Sequence, residues 1–138
     1  VTVVYETSPE RIDEMTITYY AMSLDKTSGE NKYSLYRKEV PYMDIARDRN
    51  HTGVVYIRPS ALERFGEIVA CAVEIRIDNE VVAQQGESSM GGALPDEWWK
   101  DQRVIGRSDL VTIRDAHILN RIESPFAFIN IDDYEAIK

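Results

Sequence analysis

The residues best placed for catalysis are Asp115 and His117, which stand two positions apart. On a β-strand alternate residues share a face, so the carboxylate could orient the imidazole as a general base. The candidate nucleophiles are Ser88, Ser89 and Ser108. The first two lie in no G-x-S-x-G elbow, because Met90 stands where the second glycine would be. The sequence therefore favours an exposed Asp–His ion pair, with a hydrolase as the alternative.

Metal ligation has little support in the spacing of the histidines and carboxylates. His51 and His117 are the only histidines, and neither belongs to an H-x-H or H-E-x-x-H pattern. The candidate calcium ligands are Asp44, Asp48, Asp132, Asp133 and Glu135. They do not follow the spaced acidic loop of a calcium site. We therefore expect a solvated loop and a helix cap in these places, with no metal and no cofactor.

Trp98 and Trp99 are the most unusual pair of neighbours in the sequence. On a helical turn their side chains point about 100° apart, so one ring could anchor the C-terminal region while the other stays partly exposed. An exposed indole can stack on a sugar ring or anchor a protein partner. The two tryptophans are therefore the candidate binding residues, although packing of both rings on the domain is the more ordinary arrangement.

The segment from Glu67 to Ile77 is the most informative predicted strand. One face is apolar at period two and should be buried: Val69, Cys71, Val73, Ile75 and Ile77. The opposite face begins apolar and ends in Glu74 and Arg76, which predicts a strand that runs toward an exposed end. Cys71 is accordingly expected to be a small core residue rather than a redox thiol.

The residues of the two turns next to this strand predict the geometry of each turn. Before it, Ser60 and Glu63 fit a capping box and Gly66 fits a C-terminal cap, which predicts one helical turn over residues 61–65. After it, a three-residue loop with a bulge is preferred, because it would pair Ile77 with Val81 and Ile75 with Ala83.

The pattern of elements predicts a mainly β protein. Strands outnumber helices, no helical pattern reaches three turns, and turn residues separate the strands. We expect an antiparallel two-sheet β-sandwich, loosely immunoglobulin-like, with short helical turns and an irregular C-terminal segment. Residues 1–92 would form the sandwich core, and residues 93–138 would pack on the same single domain. The Cys…Trp…Cys spacing of antibody domains is absent.

Composition excludes several classes of function. The chain has 138 residues, with 24 acidic and 16 basic side chains and a formal charge of −8. Such an acidic domain repels a phosphate backbone, so we expect no nucleic-acid partner. No apolar run approaches the roughly 18 residues of a membrane span. One cysteine excludes an internal disulfide and a multi-cysteine zinc site.

The sequence therefore points toward a surface rather than toward a reaction. We expect a non-catalytic structural or protein-interaction module of a surface, secreted or particle assembly, with a protein partner or self-assembly. An extracellular or cell-envelope location is favoured over the cytoplasm. The alternatives are a carbohydrate-binding sandwich that stacks a glycan on Trp98 or Trp99, and a hydrolase that uses Asp115 and His117.

Overall fold

A computed structural model describes residues 2–5, 11–26, 32–46, 51–90, 94–106, 110–124 and 137. The strands in these ranges are β1 (Thr2–Tyr5), β2 (Arg11–Asp25), β3 (Lys32–Ala46), β4 (His51–Ile57), β5 (Glu67–Ile77), β6 (Glu80–Ser88), β7 (Val111–Ile113) and β8 (Ile118–Asn120). The α-helices are α1 (Pro59–Phe65) and α2 (Gln102–Ile105). Two 3-10 turns cover Trp98–Lys100 and Asp115–His117. The prediction of a mainly β protein is confirmed.

The strands form two sheets, with orders β6-β5-β2-β3-β7 and β1-β4-β8. The larger sheet is mixed, because β7 pairs parallel with β3 whereas the other neighbours are antiparallel. The prediction of a wholly antiparallel sheet is therefore wrong at this edge. The chain leaves β6 at one edge and returns as β7 at the opposite edge, so its direction there is not set by a hairpin.

Both faces of the larger sheet carry buried apolar residues. One cluster combines this sheet with the smaller one and α1: Met15, Ile17, Tyr19, Ala21, Tyr36, Val40, Tyr42, Val55, Ala61, Ile75 and Ile118. The cluster on the second face includes Met22, Leu35, Ala70, Ala72, Trp98, Trp99 and Val111. The central strand β2 is thus covered on both sides over part of its length.

A β-bulge changes which residues of β5 face each cluster. Met22 pairs with Ala70 and Ser23 pairs with Ile68, so Val69 has no residue directly opposite it on β2. As a result Ile68 packs against the first cluster and Val69 against the second. The predicted single apolar face, with Val69 and Cys71 on the same side, is therefore wrong at this end of the strand.

The β5–β6 hairpin has a two-residue loop rather than the predicted three. Asp78 and Asn79 both adopt positive φ, 53° and 65°, which the right-handed twist of a tight hairpin requires. Ile77 pairs with Glu80, and a bulge then brings Ile75 opposite Ala83. The predicted loop length is therefore wrong. The predicted Ile75–Ala83 pairing is nevertheless confirmed, because the bulge adds the one residue by which the loop is shorter than predicted.

Helix α1 begins at Pro59 and its N-cap is Arg58, so the predicted Ser60–Glu63 capping box is wrong. Proline suits the first helical position because it has no N–H to leave unpaired. The predicted C-cap is confirmed: Gly66 has φ of 97° and its N–H donates to the Leu62 carbonyl at 3.0 Å. A Cβ at Gly66 would also overlap the backbone of β2.

Candidate functional site

The two tryptophans lie inside the protein, on the second face of the larger sheet. Trp98 is 2% exposed and Trp99 is 3% exposed. Both rings therefore pack on the domain, which is the more ordinary arrangement of the two that the sequence allowed, and the alternative of one exposed ring is wrong. Their ring planes lie nearly perpendicular, with centroids 5.8 Å apart, so each ring buries a different surface. No face of either ring is open for a sugar to stack upon.

Glu74 on β5 holds Trp99 in place. The indole Nε1 of Trp99 donates a hydrogen bond of 2.8 Å to Oε1 of Glu74. Glu74 is 1% exposed, so the predicted exposed end of this strand face begins only at Arg76. A buried carboxylate is costly without partners, and two cations supply them. Arg76 Nη2 lies 3.3 Å from Oε2, and Lys100 Nζ lies 3.5 Å from Oε1.

Gly86 on β6 provides the space that the Trp99 ring occupies. Gly86 lies inside β6 and pairs with Ala72. A Cβ at this position would overlap the six-membered ring of Trp99. Glycine inside a strand often marks such a close approach, because it has no side chain to be displaced.

Gln84 extends this group of residues to the edge of the sheet. It stands directly opposite Glu74 in the β5–β6 register. Its side-chain amide donates to Glu97 and accepts from Lys100, so acidic and basic partners flank it. Lys100 thereby contacts both the buried Glu74 and the exposed Gln84. We call the residues from Leu94 to Ile105 the tryptophan segment, which is thus fixed to the sheet by both apolar and polar contacts.

The charge of Glu74 also acts on its neighbour Tyr20. Burial, and then the nearby Glu74 carboxylate, raise the pKa of the Tyr20 hydroxyl above its ordinary value of 10.0. Tyr20 packs against the same cluster as the tryptophans. The protonated, uncharged form of the hydroxyl is therefore favoured in this position. In contrast, the indole Nε1 of Trp98 has no hydrogen-bond partner among the described residues.

Asp115 and His117 lie on a 3-10 turn rather than a strand, and their side chains contact different partners. Asp115 accepts from the Arg37 backbone N–H at 3.0 Å and from its guanidinium at 3.2 Å. His117 packs its ring on Phe65, with centroids 5.5 Å apart. The predicted Asp–His pair is therefore wrong, because Asp115 pairs with Arg37 on β3 instead.

The described candidate nucleophiles are used in local structure. The Ser89 hydroxyl donates to the Val69 carbonyl at 3.1 Å, and Ser88 Oγ accepts from the Met90 N–H at 3.0 Å. Ser108 lies outside the described residues. Among the described residues, Asp115 and His117 do not bond to each other through their side chains, and neither bonds to Ser88 or Ser89.

The metal candidates fall mostly outside the described part of the chain. Asp48 and the acidic group at 132, 133 and 135 are not described, and the structure describes only the backbone of Asp44 and His51. Among the described residues, no group of three or more His, Cys, Asp or Glu side chains is arranged to hold a metal ion.

Cys71 lies beside a surface groove rather than in the middle of a core. The thiol residue is half-buried, and it lines a groove of about 270 Å³ together with Val4 of β1 and Glu87 of β6. Burial, and then the Glu87 charge, raise the pKa of the thiol. The prediction of a buried core position is therefore wrong, whereas a raised pKa agrees with the predicted low reactivity.

Comparison with known proteins identifies relatives for nearly the whole chain. A protein-family model matches residues 2–138. The chain belongs to that family. No curated protein matches the chain in sequence. A crystal structure of a protein from Akkermansia muciniphila is similar, with a TM-score of 0.74 at 22% sequence identity. The likeness covers 94% of this chain and 67% of the other, and it shows a shared fold.

No helix among the described residues is long and apolar enough to cross a bilayer. The helices α1 and α2 have 7 and 4 residues, against the roughly 20 that a span requires.

Sequence reasoning missed Glu74, Gly86 and Gln84, and the first two had a local signal. Glu74 interrupts a long apolar strand, and a charge in that position is often buried with a partner. The alternating pattern of the preceding residues can be continued through Gly86. A glycine inside a strand marks a close approach by another group, whereas a glycine outside one marks a loop. The partner that joins these residues, Trp99, follows 25 positions after Glu74, and no spacing rule predicts that contact.

Proposed function

We propose that this protein is a non-catalytic interaction module whose binding surface is the β6 edge of the larger sheet. The observation that carries the proposal is the exposure of the whole strand. All nine residues of β6 are exposed, including Val81 at 41% and Val82 at 55%. Edge strands present unpaired N–H and C=O groups to which another extended chain can add.

The composition of β6 supports a binding edge. Natural edge strands are commonly protected from pairing by lysine or proline, and β6 from Glu80 to Ser88 has neither. The bulge near Val82 protects only the end close to the hairpin. Beyond it the strand runs regularly from Ala83 to Ser88, which is long enough for a main-chain ladder.

Among the described residues, the contacts that the other two candidate functions require are not made. A stacking site requires an exposed ring, and both tryptophans are buried. A hydrolase requires Asp115 to orient His117, and Asp115 is bonded to Arg37. These contacts leave a surface function as the proposal that the geometry supports best.

We extend the proposal to setting and architecture. The module would serve a surface, secreted or particle assembly, which surface labelling of intact cells or particles would test. The two sheets would pack as a sandwich of loosely immunoglobulin-like form. The support is the cluster that joins Val55 of β4 and Ile118 of β8 to Ile17 and Val40 of the larger sheet. The C-terminal region from residue 93 would belong to the same domain.

A photo-crosslinking amino acid at Val82 tests the interaction module in the cells that make the protein. We expect a discrete crosslinked product whose partner peptide is identified by mass spectrometry. The matched control places the same group at Glu63, which is exposed on α1 away from the sheet edge. No product from position 82, or equal yields from the two positions, would contradict the proposal.

A further inference from the structure

We infer that the occupant of the β6 edge is a second copy of this chain, paired antiparallel about a twofold axis at Gln84. The inference rests on the proposed function, because it names the partner of the same edge. An isologous contact uses one surface twice, so β6 must be complementary to itself. The backbone register, the side-chain pattern and the local charges each meet that condition.

The backbone register places Gln84 at a site where two copies can exchange hydrogen bonds. In a two-residue hairpin the flanking residues, Ile77 and Glu80, form a hydrogen-bonded pair. Hydrogen-bonded and non-bonded pairs then alternate along the ladder. Beyond the bulge, the residues whose N–H and C=O groups point away from β5 are accordingly Gln84, Gly86 and Ser88.

The side chains of β6 tolerate the same register. With Gln84 opposite Gln84 of the second copy, Glu87 faces Val81 and Glu80 faces Ser88. No acidic residue stands directly opposite another, and like charges in that position are destabilising. Small or uncharged residues, Ala83 and Gln85, would pair next to the axis.

The charges beside the axis allow two acidic chains to approach. Each chain carries a formal charge of −8, so most faces of two copies repel one another. At Gln84, however, each copy contributes one acidic and one basic contact residue, Glu97 and Lys100. The four side chains around the axis therefore sum to zero charge. The charges at the axis are therefore balanced, and Glu80 and Glu87, the acidic residues of β6 itself, face uncharged residues of the second copy in this register.

The test measures self-association of the full chain by sedimentation from about 1 μM to about 1 mM. We expect a concentration-dependent monomer–dimer equilibrium in the wild type. Gln84→Lys adds two facing cations at the axis and should weaken the dimer at least about tenfold. Glu63→Gln is the matched control, because it raises the charge of each chain by the same one unit at an exposed position of α1 outside the paired edge, and it should leave the dissociation constant unchanged.

Amide hydrogen exchange locates the contact if the variants alter folding. The N–H groups of Gln84 and Gly86 should become protected as the wild-type concentration rises. A monomer at every concentration, a dimer that Gln84→Lys does not weaken, or equal loss in both variants would overturn the inference. A monomer whose position 82 still crosslinks to a different protein would overturn only this inference and leave the proposed function standing.

Discussion

The indole N–H of Trp99 donates to the buried carboxylate of Glu74 across 2.8 Å, between two segments that lie 25 residues apart. This bond fixes the tryptophan segment to β5 and gives an aromatic pair a structural role. It also means that a binding surface must lie outside the two rings. Because the rings are buried, the exposed strand beside them is the surface that we propose for interaction.

Replacing Glu74 should destabilise the fold. Glu74→Gln keeps the shape but weakens the bond to Trp99 and the attraction of Arg76 and Lys100, at a cost of about 1–3 kcal/mol in the free energy of unfolding. Urea denaturation monitored by tryptophan fluorescence measures it. Glu80→Gln, an exposed change on β6, serves as the control and should stay within about 0.5 kcal/mol. Equal stabilities of the two variants would contradict a structural role for Glu74.

Adding a methyl group at Gly86 should displace the Trp99 ring. Gly86→Ala places a Cβ where the ring lies, so we expect a loss of about 1–3 kcal/mol. In a Trp99→Leu background the same change should cost less, because the ring is gone. A double-mutant cycle in urea measures this coupling. Additive costs would show that Gly86 and Trp99 act independently.

Glu74 and its neighbours on β5 also show how far the sequence could predict the fold. Strand β5 and the Gly66 cap follow from local periodicity and from φ preferences, and the structure contains them. The burial of Glu74 does not follow, because it depends on Trp99 reaching across the sheet.

The irregular features were the least predictable. A bulge opposite Val69 exchanges the faces of neighbouring residues, and nothing in the alternation of β5 reveals where the partner strand slips. Similarly, the Asp115–His117 spacing suggested a shared strand face, whereas a 3-10 turn and the cation at Arg37 separate the two side chains. Candidate sites that rest on assumed strand geometry fail when the local backbone is not a strand.

Acid should remove the contribution of the Lys38–Glu123 ion pair. Lys38 lies 2.8 Å from the Glu123 carboxylate, and this contact, followed by the Asn120 N–H, lowers the Glu123 pKa below its usual 4.5. A lowered folded-state pKa stabilises the fold above the unfolded pKa, and that stability is lost as pH falls through the folded value. The pair is partly exposed, so it contributes only about 0.5 kcal/mol.

Urea denaturation at neutral pH and below pH ~4 tests this ion pair. Glu123→Gln should be less stable than wild type at neutral pH, and the difference should shrink as the solution becomes more acidic. Lys38→Met should remove the same pH-dependent part. A difference that does not change with pH would refute the electrostatic explanation.

The Cys71 thiol should react slowly with alkylating reagents at neutral pH. Burial and the Glu87 charge raise its pKa, which reduces the reactive thiolate fraction. Glu87→Gln should move the pH–rate profile toward lower pH and increase the rate by less than about tenfold. Glu80→Gln, on the same strand, is the control. A profile unchanged by Glu87→Gln would mean that the carboxylate does not act on the thiol.

Hydrogen exchange followed by NMR at low and high protein concentration tests the central claim most directly, namely that the tryptophans belong to the core and the β6 edge pairs with a second copy of this chain. We expect the Trp99 indole proton to exchange slowly at both concentrations. The Gln84 and Gly86 amide protons should exchange rapidly in the dilute sample and slowly in the concentrated one. Rapid exchange of the indole proton, together with β6 amides whose rates do not depend on concentration, would contradict the account.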